Sequence, residues 1–461
     1  MPREIVIAFA AITWEESVAA IDHVDETAGV LLAGVAEDDE RLIFTVNRII
    51  WVPEEQYVER SPRRLAISSA GWVPALKAAA DMGLHPVFFH THPGGEPLPS
   101  ALDDDVDAAL AGPFRIRARV KRYASFILGG TVAQPSFSGR VLHEDGSCAA
   151  VTRARVVGRR LHVLPAFEAA EASVAARQVH DRQVRAFGAA GQHALGQLRV
   201  GVVGAGGTGS AVLEQLIRLG VRNIVSIDDD VVTPTNVSRV YGSSSADDGR
   251  AKVKVAKDHA ERIGLGTQLV SHEGRINKRE ALDLLRTCDV VFGCTDDHIG
   301  RLNLSLLAFY YLIPIIDLGV AIYAPKERIR SITGRITYVG PGEACLLCRG
   351  VVDPARVRDE GYEPDERARL AGEGYAQGLG EPDPSVVAYT TMVAAWGVAD
   401  LLERLFGFGA DDIAGELHLR IADRKMKGRR ALPTPGHICA EPGRWGLGDQ
   451  EAFLGQRAWP T

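Results

Sequence analysis

Residues 199–210 read RVGVVGAGGTGS, an apolar run of strand character that passes through a glycine-rich turn into the start of a helix. The backbone N–H groups of such a turn, and the dipole of the helix behind it, can cradle phosphate groups. A second apolar strand follows and ends at Asp228, so the order is strand, turn, helix, strand. This order predicts a parallel, doubly wound sheet with a nucleotide site at the turn.

The polar residues downstream of the turn separate one class of nucleotide site from another. Asp228 has the spacing of a ribose-binding acid in nicotinamide, flavin and ATP sites alike, so it does not discriminate between them. An enzyme that adenylates a carboxylate must gather a triphosphate and a carboxylate, and this requires cations and a metal ion. The chain supplies suitable segments: HDRQ at 180–183, DDDVVTPTNVSR at 228–239, GRAK at 249–252 and GCTDD at 293–297. The alternative interpretation, a nicotinamide oxidoreductase, does not explain why the chain carries these segments.

The ordered set of segments resembles the ThiF/MoeB/HesA and ubiquitin-activating superfamily over residues 177–445. The resemblance implies ATP-dependent adenylation of the C-terminal glycine of a carrier protein, with magnesium as the metal ion. The residues it implies in binding ATP and magnesium are Gly204, Gly206, Gly207, Gly209, Asp228, Asp230, Asn236, Arg239, Lys252 and Asp296. Asp228 is expected to bind the ribose and Asp296 to hold magnesium. Asn236, Arg239 and Lys252 are expected to face the phosphates.

The resemblance also assigns catalytic roles to four residues, Arg182, Arg239, Lys252 and Asp296. In the family, the arginine at the position of Arg182 reaches the ATP of the neighbouring subunit, which implies a homodimer. Taken singly, such residues also have ordinary explanations. Asp228 could cap a turn, Asn236 could be a turn residue, and Lys252 and Arg182 could be solvated surface charges.

A second group of residues with side chains that can bind a metal ion lies in the N-terminal part of the chain, in the run VFFHTHP at 87–93. Alternate residues of a strand share one face, so His90 and His92 can reach a single metal ion. Ser100 and Asp103 have the spacing of a helix N-cap and its third helical residue, which carries both back towards the histidines. Two imidazoles and one carboxylate leave the fourth zinc position for water, as in catalytic sites.

Glu26 supplies the base that such a site requires. It enters the apolar run ETAGVLLAG, where a bare carboxylate is costly without a partner. Together with His90-x-His92-x7-Ser100-x-x-Asp103, it resembles the motif of JAB/JAMM zinc metalloproteases. The resemblance implies that His90, His92 and Asp103 bind zinc, that Glu26 deprotonates water and that Ser100 stabilises the oxyanion. It also implies cleavage of amide bonds that follow the C-terminal glycine of ubiquitin-like proteins.

Six cysteines are too sparse for a disulfide scaffold in a chain of this length. Cys345 and Cys348 form a C-x-x-C pair where the ThiF family places the first half of a structural zinc site. His437 and Cys439 are expected to complete a set of three thiolates and one imidazole, with a tail thiol beside an unmetallated turn as the alternative. Residues 349–387, where ubiquitin-activating enzymes often carry a catalytic cysteine, contain none. We therefore expect no carrier thioester on this chain, and transfer to a separate conjugating enzyme or a sulfur donor.

The composition of the 461 residues is globular, with 46% apolar and 24% charged residues. A net charge of −7, from 52 basic and 59 acidic residues, favours neither nucleic acid nor an anionic membrane surface as a partner. The apolar stretches fall short of the roughly 20 residues of a membrane span, and the first residues lack a cleavable signal pattern. We expect a cytoplasmic protein with no nucleic-acid or membrane partner.

These observations predict an α/β two-domain protein. Its N-terminal domain is expected to be α+β, of the JAB/MPN (cytidine-deaminase-like) type, and its C-terminal domain Rossmann-like and doubly wound, of the ThiF type. The expected limits are 1–165 for the first domain, 166–178 for a linker helix, 179–425 for the second domain and 426–461 for a C-terminal extension. That extension is expected to carry the second half of the structural zinc site.

The leading functional hypothesis is a bacterial-style ubiquitin-like modification system, in which one domain activates a carrier and the other matures or deconjugates it. The first alternative is activation of a sulfur carrier for cofactor or metabolite biosynthesis. The second is a non-catalytic nucleotide- and zinc-binding scaffold, which binds ATP without pyrophosphate exchange. For the first domain alone, an inactive zinc site that serves as a carrier-binding module is the corresponding alternative.

Overall fold

The computed structural model describes residues 3–167, 178–362, 366, 369, 384–410 and 412–450. The chain divides into two compact units. Unit 1 comprises Met1–Ser173, Phe309–Leu312 and Glu441–Gly455, and unit 2 comprises Val174–Ala308, Ile313–Ala440 and Gln456–Thr461. The linker helix predicted at 166–178 falls mostly outside the described residues.

Unit 1 is built on a mixed sheet. Its described strands are β1 (Glu4–Ala10), β2 (Ala28–Glu37), β3 (Arg41–Trp51), β4 (Tyr57–Ser61), β5 (Arg64–Ile67), β6 (His85–Pro93), β7 (Tyr123–Thr131), β8 (Gln134–Leu142), β9 (Cys148–Ala150), β10 (Arg153–Val157) and β11 (Leu161–Pro165). Its described helices are α1 (Ala11–Ala19), α2 (Ser69–Met82) and α3 (Ala101–Ala118). The sheet has the order β11-β10-β1-β3-β2-β6-β7-β8-β9, and β4-β5 forms a separate hairpin.

Both faces of this sheet are buried, as the sequence of β6 illustrates. Phe89 packs in one apolar cluster with Phe9 and Phe126. The adjacent Phe88 lies in another cluster with Leu76 of α2 and Phe114 of α3. Successive side chains of a strand point to opposite faces, so one apolar run serves two cores. The second core holds α3 beside β6, where the predicted metal ligands lie.

Unit 2 contains the predicted doubly wound sheet. Its described strands are β12 (Arg199–Val203), β13 (Asn223–Asp228), β14 (Gln268–Glu273), β15 (Val290–Gly293), β16 (Ile315–Tyr323), β17 (Ser331–Val339), β18 (Glu416–Arg420) and β19 (Lys425–Arg429). The described helices that begin in this unit are α4 (Asp181–Gln197), α5 (Gly207–Leu219), α6 (Lys252–Ile263), α7 (Arg279–Leu285), α8 (His298–Tyr310), α9 (Pro354–Glu360) and α10 (Val387–Phe406).

The strand order of unit 2 is β14-β13-β12-β15-β16-β17-β18-β19. The strands from β14 to β16 are parallel, and those from β16 to β19 pair antiparallel. Chain order reverses at β12, between β13 and β15, and ligands of open α/β sheets bind outside the carboxyl ends of strands at such a switch point. The glycine turn follows β12 at this point. The α/β two-domain prediction, with a Rossmann-like second domain, is confirmed.

The predicted domain limits stay predictions, but the structure shows where residues 426–450 of the predicted extension at 426–461 lie, and residues 451–461 fall outside the described residues. Its first residues continue β19, in which Lys425 pairs with Arg420 of β18. Glu441–Gly455 belongs to unit 1, where Asn47 Nδ2 donates to the carbonyl of Trp445 at 2.6 Å. Within the described ranges, no helix combines the length and apolar character needed to cross a membrane.

Two candidate catalytic sites and a cysteine cluster

The first candidate site lies where β6 meets the N-terminus of α3. His90 Nε2 is 3.2 Å from His92 Nε2 and 3.1 Å from Asp103 Oδ1. His92 Nε2 is 3.8 Å from Asp103 Oδ2. One ligand atom from each residue lies within 4.8 Å of the others, a spacing compatible with a single zinc ion. The structure thus brings together the three residues predicted to bind zinc.

Ser100 and Asp103 form the capping box of α3. The hydroxyl and the backbone N–H of Ser100 both donate to Asp103 Oδ2 at 2.6 Å, and the backbone N–H of Asp103 donates to Ser100 Oγ at 3.3 Å. Burial opposes ionisation of Asp103, but the hydrogen bond and charge of His90 and the two bonds from Ser100 lower its pKa below the usual range. The carboxylate is therefore ionised where it faces the histidines.

The tautomer of His92 follows from its second ring nitrogen. Nδ1 lies 3.0 Å from the carbonyl oxygen of Glu96, which can only accept a hydrogen bond, so Nδ1 carries the proton. Burial, the largest effect, and the charge of His90 lower the pKa of His92, which favours the neutral ring. Nε2 therefore presents a lone pair to the cluster. A carbonyl that orients the second nitrogen is typical of metal-binding histidines, so the donor set fits zinc.

Glu26 lies just before β2, which begins at Ala28, and not within the strand. Its backbone N–H donates to the carbonyl of Ser61 at 3.1 Å, and Arg60 Nε donates to its carbonyl at 2.9 Å. Burial, the largest effect, raises the pKa of Glu26 to about 7, while His90 lowers it and Asp103 raises it. A carboxyl group with this pKa can take up a proton near neutral pH. Arg60, which holds it in place, was not identified from sequence.

The second candidate site lies at the glycine turn, residues 204–209, which follows β12. Steric contacts determine which positions of this turn must be glycine. Gly204 has a φ of 91°, in the left-handed region, and a Cβ there would lie 2.6 Å from the carbonyl oxygen of Cys294. A Cβ on Gly209 would lie 1.7 Å from the carbonyl oxygen of Gly204. A Cβ on Gly206, by contrast, would meet no described atom within 4 Å. The turn is therefore tight on its inner side and open where a phosphate would approach.

Asp228 ties β13 to this turn. Its Oδ2 accepts the N–H of Ala205 at 2.6 Å, and its Oδ1 accepts the N–H of Asp230 at 2.8 Å. Lys252 Nζ donates to Asp230 Oδ2 at 2.6 Å and lies 3.9 Å from Asp228 Oδ1. Burial, the largest effect, raises the pKa of Asp228 although Lys252 and the two N–H groups oppose it. The structure thus brings three predicted residues to the turn.

Arg239 and Asn236 lie in the turns that follow β13. A Cβ on Gly207 would lie 3.3 Å from Arg239 Cδ, so the arginine side chain runs beside the first residue of α5. Its Nη1 donates to the carbonyl of Thr235 at 2.8 Å. Asn236 is buried, and its Oδ1 accepts the N–H of Thr233 at 3.4 Å. Arg239 therefore adds positive charge at the N-terminus of α5, where the helix dipole already favours anions.

Asp296 is exposed in the loop between β15 and α8. The carboxylate of the neighbouring Asp297 is hydrogen-bonded within the loop. It accepts the hydroxyl of Thr295 and, at 3.1 Å, the backbone N–H of Gly300. Arg301 Nη1 donates to the backbone carbonyl of Asp296 at 3.3 Å. The carboxylate of Asp296 is thus accessible to a magnesium ion, a hard cation that prefers oxygen ligands.

Sequence reasoning missed a buried ion network beside this loop. Asp317 of β16 is fully buried, with Arg335 Nη2 at 2.6 Å and Arg301 Nε at 3.4 Å from its carboxylate. The available signal was a single aspartate in the apolar run LIPIIDLGV, because a buried carboxylate requires a partner. The identity of the partners was not visible, since both are distant in sequence.

Arg182 is not among the residues brought to the glycine turn. It is exposed in the first turn of α4, where the adjacent Gln183 donates to the carbonyl of Arg218 near the C-terminus of α5. The glycine turn is at the opposite end of this 13-residue helix, about 20 Å away at 1.5 Å per residue. Within one chain, Arg182 is therefore remote from the predicted phosphate site.

The two predicted halves of the structural zinc site meet in unit 2. Cys348 Sγ lies 3.6 Å from Cys345 Sγ, 3.5 Å from Cys439 Sγ and 3.1 Å from His437 Nδ1. The backbone N–H of Thr434 donates to Cys348 Sγ at 3.3 Å. The hydrogen bond between the thiols of Cys345 and Cys439 raises the pKa of Cys345 and lowers the pKa of Cys439. Three sulfurs and one imidazole fit zinc, and the zinc site stays a prediction.

Known proteins resemble the two parts of the chain separately. The ThiF family model matches residues 180–435, and the model of prokaryotic homologs of the JAB domain matches residues 8–141. The molybdopterin-synthase adenylyltransferase of Escherichia coli K12 is 32% identical over 171 residues, 37% of this chain and 66% of that protein. The adenylyltransferase and sulfurtransferase UBA4 of Meyerozyma guilliermondii is 32% identical over 123 residues, 27% of this chain and 29% of that protein. The match thus spans less than two thirds of either relative.

Among solved structures, Escherichia coli MccB with MccA-N7isoASN has a TM-score of 0.45 and 18% identity to this chain. The similarity covers 57% of this chain and 75% of that one.

Proposed function

This chain belongs to the ThiF family and carries a JAB domain on its N-terminal side, and we propose that it adenylates the C-terminal glycine of a carrier protein with ATP. One observation carries the proposal: the glycine turn, Asp228, Lys252 and Arg239 converge at the switch point of the sheet. Phosphates at this point would meet backbone N–H groups, a helix N-terminus and two cations. Asp296, after the neighbouring β15, is the proposed magnesium ligand.

In the proposed reaction, a carboxylate oxygen of the carrier's terminal glycine attacks the α-phosphorus of ATP. A bond forms between these two atoms, the bond from the α-phosphorus to the bridging oxygen breaks, and pyrophosphate leaves with the electron pair. Arg239 and Lys252 would stabilise the charge that accumulates on the phosphates. Arg182 would act on the site of a second copy, because its own turn is about 20 Å away. A homodimer is therefore part of the proposal.

Carrier-dependent exchange of labelled pyrophosphate into ATP tests the adenylation step, since exchange requires a reversibly formed acyl-adenylate. We expect exchange with at least one ubiquitin-like protein of the source organism that ends in glycine. Asp296→Ala should reduce exchange by about 100-fold or more, because it removes charge stabilisation from the transition state. Glu280→Ala, at an exposed position of α7, is the matched control and should retain exchange. ATP binding without exchange for every carrier would favour the scaffold alternative.

For the JAB domain, the proposed activity is zinc-dependent cleavage after the carrier's terminal glycine, which matures the carrier or removes it from conjugates. Zinc held by His90, His92 and Asp103 would supply an activated water and polarise the scissile carbonyl. Glu26 would accept a proton at its carboxylate and return it to the leaving amine. Ser100 Oγ, which donates to Asp103 in this structure, would rotate to donate to the developing oxyanion.

A carrier extended beyond its terminal glycine by a short peptide tests the peptidase step. We expect the protein to release the peptide, and Glu26→Gln to abolish release while zinc content stays constant. Glu15→Gln, exposed on α1, is the matched control. Carrier binding without release by the unaltered protein would instead support the carrier-binding module. Release that persists in Glu26→Gln would exclude Glu26 as the base.

A second candidate function is activation of a sulfur carrier. It is favoured by the names of two relatives, a molybdopterin-synthase adenylyltransferase and an adenylyltransferase and sulfurtransferase. Residues 349–387 contain no cysteine, so in either case the activated carrier would pass to another protein. Mass spectrometry of the carrier distinguishes the outcomes: a thiocarboxylate formed with sulfide marks sulfur transfer, and a thioester on a conjugating enzyme marks modification. We also propose a cytoplasmic location and a structural zinc ion held by Cys345, Cys348, His437 and Cys439.

A further inference from the structure

The N-terminus of α8 lies directly after the loop that carries Asp296. The first four N–H groups of an α-helix have no partner within the helix, so other groups must satisfy them. The carboxylate of Asp297, the residue before α8, accepts one of these donors, the N–H of Gly300 at 3.1 Å. The N–H groups of His298 and Ile299 donate instead to a residue far along the chain.

That residue is Glu360. Its Oε2 accepts the N–H of His298 at 2.7 Å and the N–H of Ile299 at 2.8 Å, from 62 and 61 positions away in sequence. Hydrogen bonds to a carboxylate are stronger than those between neutral groups, and this carboxylate lies at the positive end of the helix dipole. Glu360 is therefore a cap that reaches α8 from outside its own stretch of sequence.

Glu360 is the last residue of α9, and both ends of this short helix contact His298. At the first end, the backbone N–H of Asp353 donates to His298 Nδ1 at 3.0 Å. Asp353 also caps α9 itself, because its Oδ1 accepts the N–H of Ala355 at 2.9 Å. Asp359, next to Glu360, is buried. The position of Glu360 is thus fixed by a docked helix and not by one flexible side chain.

The chain that leads into α9 is attached to α8 as well. The backbone N–H of Leu346 donates to Ser305 Oγ at 3.3 Å. The buried Val352 donates through its N–H to the carbonyl of Leu346, also at 3.3 Å. Ser305 is seven residues after His298, or about two turns along the helix. Residues 346–360 therefore run beside α8, from its middle back to its N-terminus.

The N-terminus of α8 in turn holds Asp296. Asp296 precedes His298 by two residues, so at most about 7 Å of extended chain separates their Cα atoms. Arg301, in the first turn of α8, donates from Nη1 to the carbonyl of Asp296 at 3.3 Å, and its Nε lies 3.4 Å from the buried Asp317. A first turn that frays would release both the chain and the arginine that fix the position of Asp296.

We propose that Glu360 is a positioning residue for adenylation, because by capping α8 it holds Asp296 where its carboxylate can bind the magnesium ion of ATP. This inference rests on the proposed adenylation function. It gives a part in that reaction to the segment at 349–387, which contains no cysteine. Glu360 acts through α8 and does not itself contact ATP. A cap that only stabilised the helix would affect ATP binding equally with and without magnesium.

Amide hydrogen exchange of the full-length protein, without ligands, tests the cap itself. Glu360→Ala leaves the N–H groups of His298 and Ile299 without their acceptor, so we expect a peptide that spans them to exchange about 10-fold faster. Glu360→Gln keeps an acceptor oxygen at the same distance and should retain most of the protection. Glu280→Ala, at an exposed glutamate in the first turn of α7, is the matched control. Unchanged exchange in Glu360→Ala would overturn the proposal.

Binding of Mn²⁺, a paramagnetic substitute for Mg²⁺, tests the positioning role. We measure by electron paramagnetic resonance the Mn²⁺ that binds only when ATP is present, and expect Asp296→Ala to abolish it. Glu360→Ala should weaken it by about 10-fold and Glu360→Gln by less, while ATP binding without a divalent ion stays unchanged in calorimetry. Unaltered Mn²⁺ binding in Glu360→Ala, or equal weakening of ATP binding with and without Mn²⁺, would leave Glu360 as a stabilising cap and reject the positioning role.

Pyrophosphate exchange separates this inference from the function on which it rests. With an active carrier, Glu360→Ala should require about 10-fold more magnesium for half-maximal exchange, with an unchanged KM for the carrier. If no carrier supports exchange but ATP-dependent Mn²⁺ binding is weakened in Glu360→Ala, the positioning role is supported and adenylation is rejected. If exchange has the same magnesium dependence in Glu360→Ala as in the unaltered protein, adenylation is supported and the positioning role is rejected.

Discussion

At the scale of single residues, the glycine turn has room for an added methyl group at one glycine and excludes it at another. A Cβ on Gly209 would lie 1.7 Å from the carbonyl oxygen of Gly204, so α5 could not begin as it does. We expect Gly209→Ala to destabilise unit 2 by about 2 kcal/mol and to abolish ATP binding in calorimetric titration. Gly206→Ala, with no described atom within 4 Å, should leave the stability unchanged. Equal unfolding temperatures for the two variants would refute the steric argument.

Zinc content measures the two ligand sets separately, because each set belongs to a different unit. We expect His90→Ala to lose the zinc of the first set and to retain that of the cysteine cluster. Cys348→Ser should show the reverse, and should also destabilise unit 2, since structural zinc contributes to folding. Elemental analysis of the purified proteins checks both. Cys148→Ser, at an exposed cysteine, is the control and should keep the full zinc content.

At the scale of elements, α3 is anchored by Asp107, one turn after Asp103. The buried carboxylate accepts hydrogen bonds from Tyr123 Oη at 2.5 Å, Ser125 Oγ at 2.8 Å and Arg140 Nε at 2.6 Å. Asp107→Ala should destabilise unit 1 by about 3 kcal/mol, because the buried hydroxyls of Tyr123 and Ser125 lose their acceptor and Arg140 keeps only its pair with Asp104.

The same substitution should weaken zinc binding by about 10-fold, since α3 carries one of the ligands. Denaturant unfolding and competition with a chelator provide the two measurements. Asp105→Ala, exposed on the same helix, is the control for both. If the Asp107→Ala variant is destabilised but binds zinc with unchanged affinity, contacts other than those of Asp107 position α3.

The strand β6 begins with a buried histidine that couples the stability of unit 1 to pH. Burial, the largest effect, lowers the pKa of His85 from 6.5 to about 4. Between these values the unfolded chain binds the proton and the folded chain does not, so stability is complete above pH 6.5 and declines as pH falls towards 4. We expect a loss of about 1.4 kcal/mol per pH unit in this window.

Calorimetry from pH 7 downwards provides the measurement, with His85→Gln as the test variant. This variant should lose stability less steeply with acid than the unaltered protein. His23→Gln, at an exposed histidine, is the matched control and should behave like the unaltered protein. If stability falls equally with pH in all three proteins, His85 does not cause the loss of stability in acid.

At the scale of the whole molecule, two reactions are assigned to two units, so single substitutions should separate them. We expect Glu26→Gln to retain pyrophosphate exchange within about twofold, and Asp296→Ala to retain peptide release to the same extent, because their residues share no partners. Both activities are measured on each full-length variant. Loss of both reactions in either variant would mean that the two sites depend on each other.

Much of each site was predictable because its residues are close in sequence. His90 and His92 share a strand face, and Ser100 and Asp103 share a helix cap, so local geometry alone aligns four groups. Asp317, Arg301 and Arg335 were missed because their ion pairs form only when β16, β17 and α8 are assembled. Similarly, the apolar run from Val156 to Leu164 has the composition of one strand, but it folds as parts of β10 and β11, which form a hairpin with its turn at Gly158.

The amino-acid sequence by itself determined the fold class, the order of the two domains and the identity of most candidate site residues. These follow from short-range periodicity, glycine placement and spacing, which act within a few residues. Only the tertiary structure decided that Arg182 is remote from the glycine turn of its own chain, and that Lys425 and Lys427 lie on the same face of the sheet as Arg335. Strand register and helix packing join residues far apart in sequence, and no local pattern encodes which distant partners will meet.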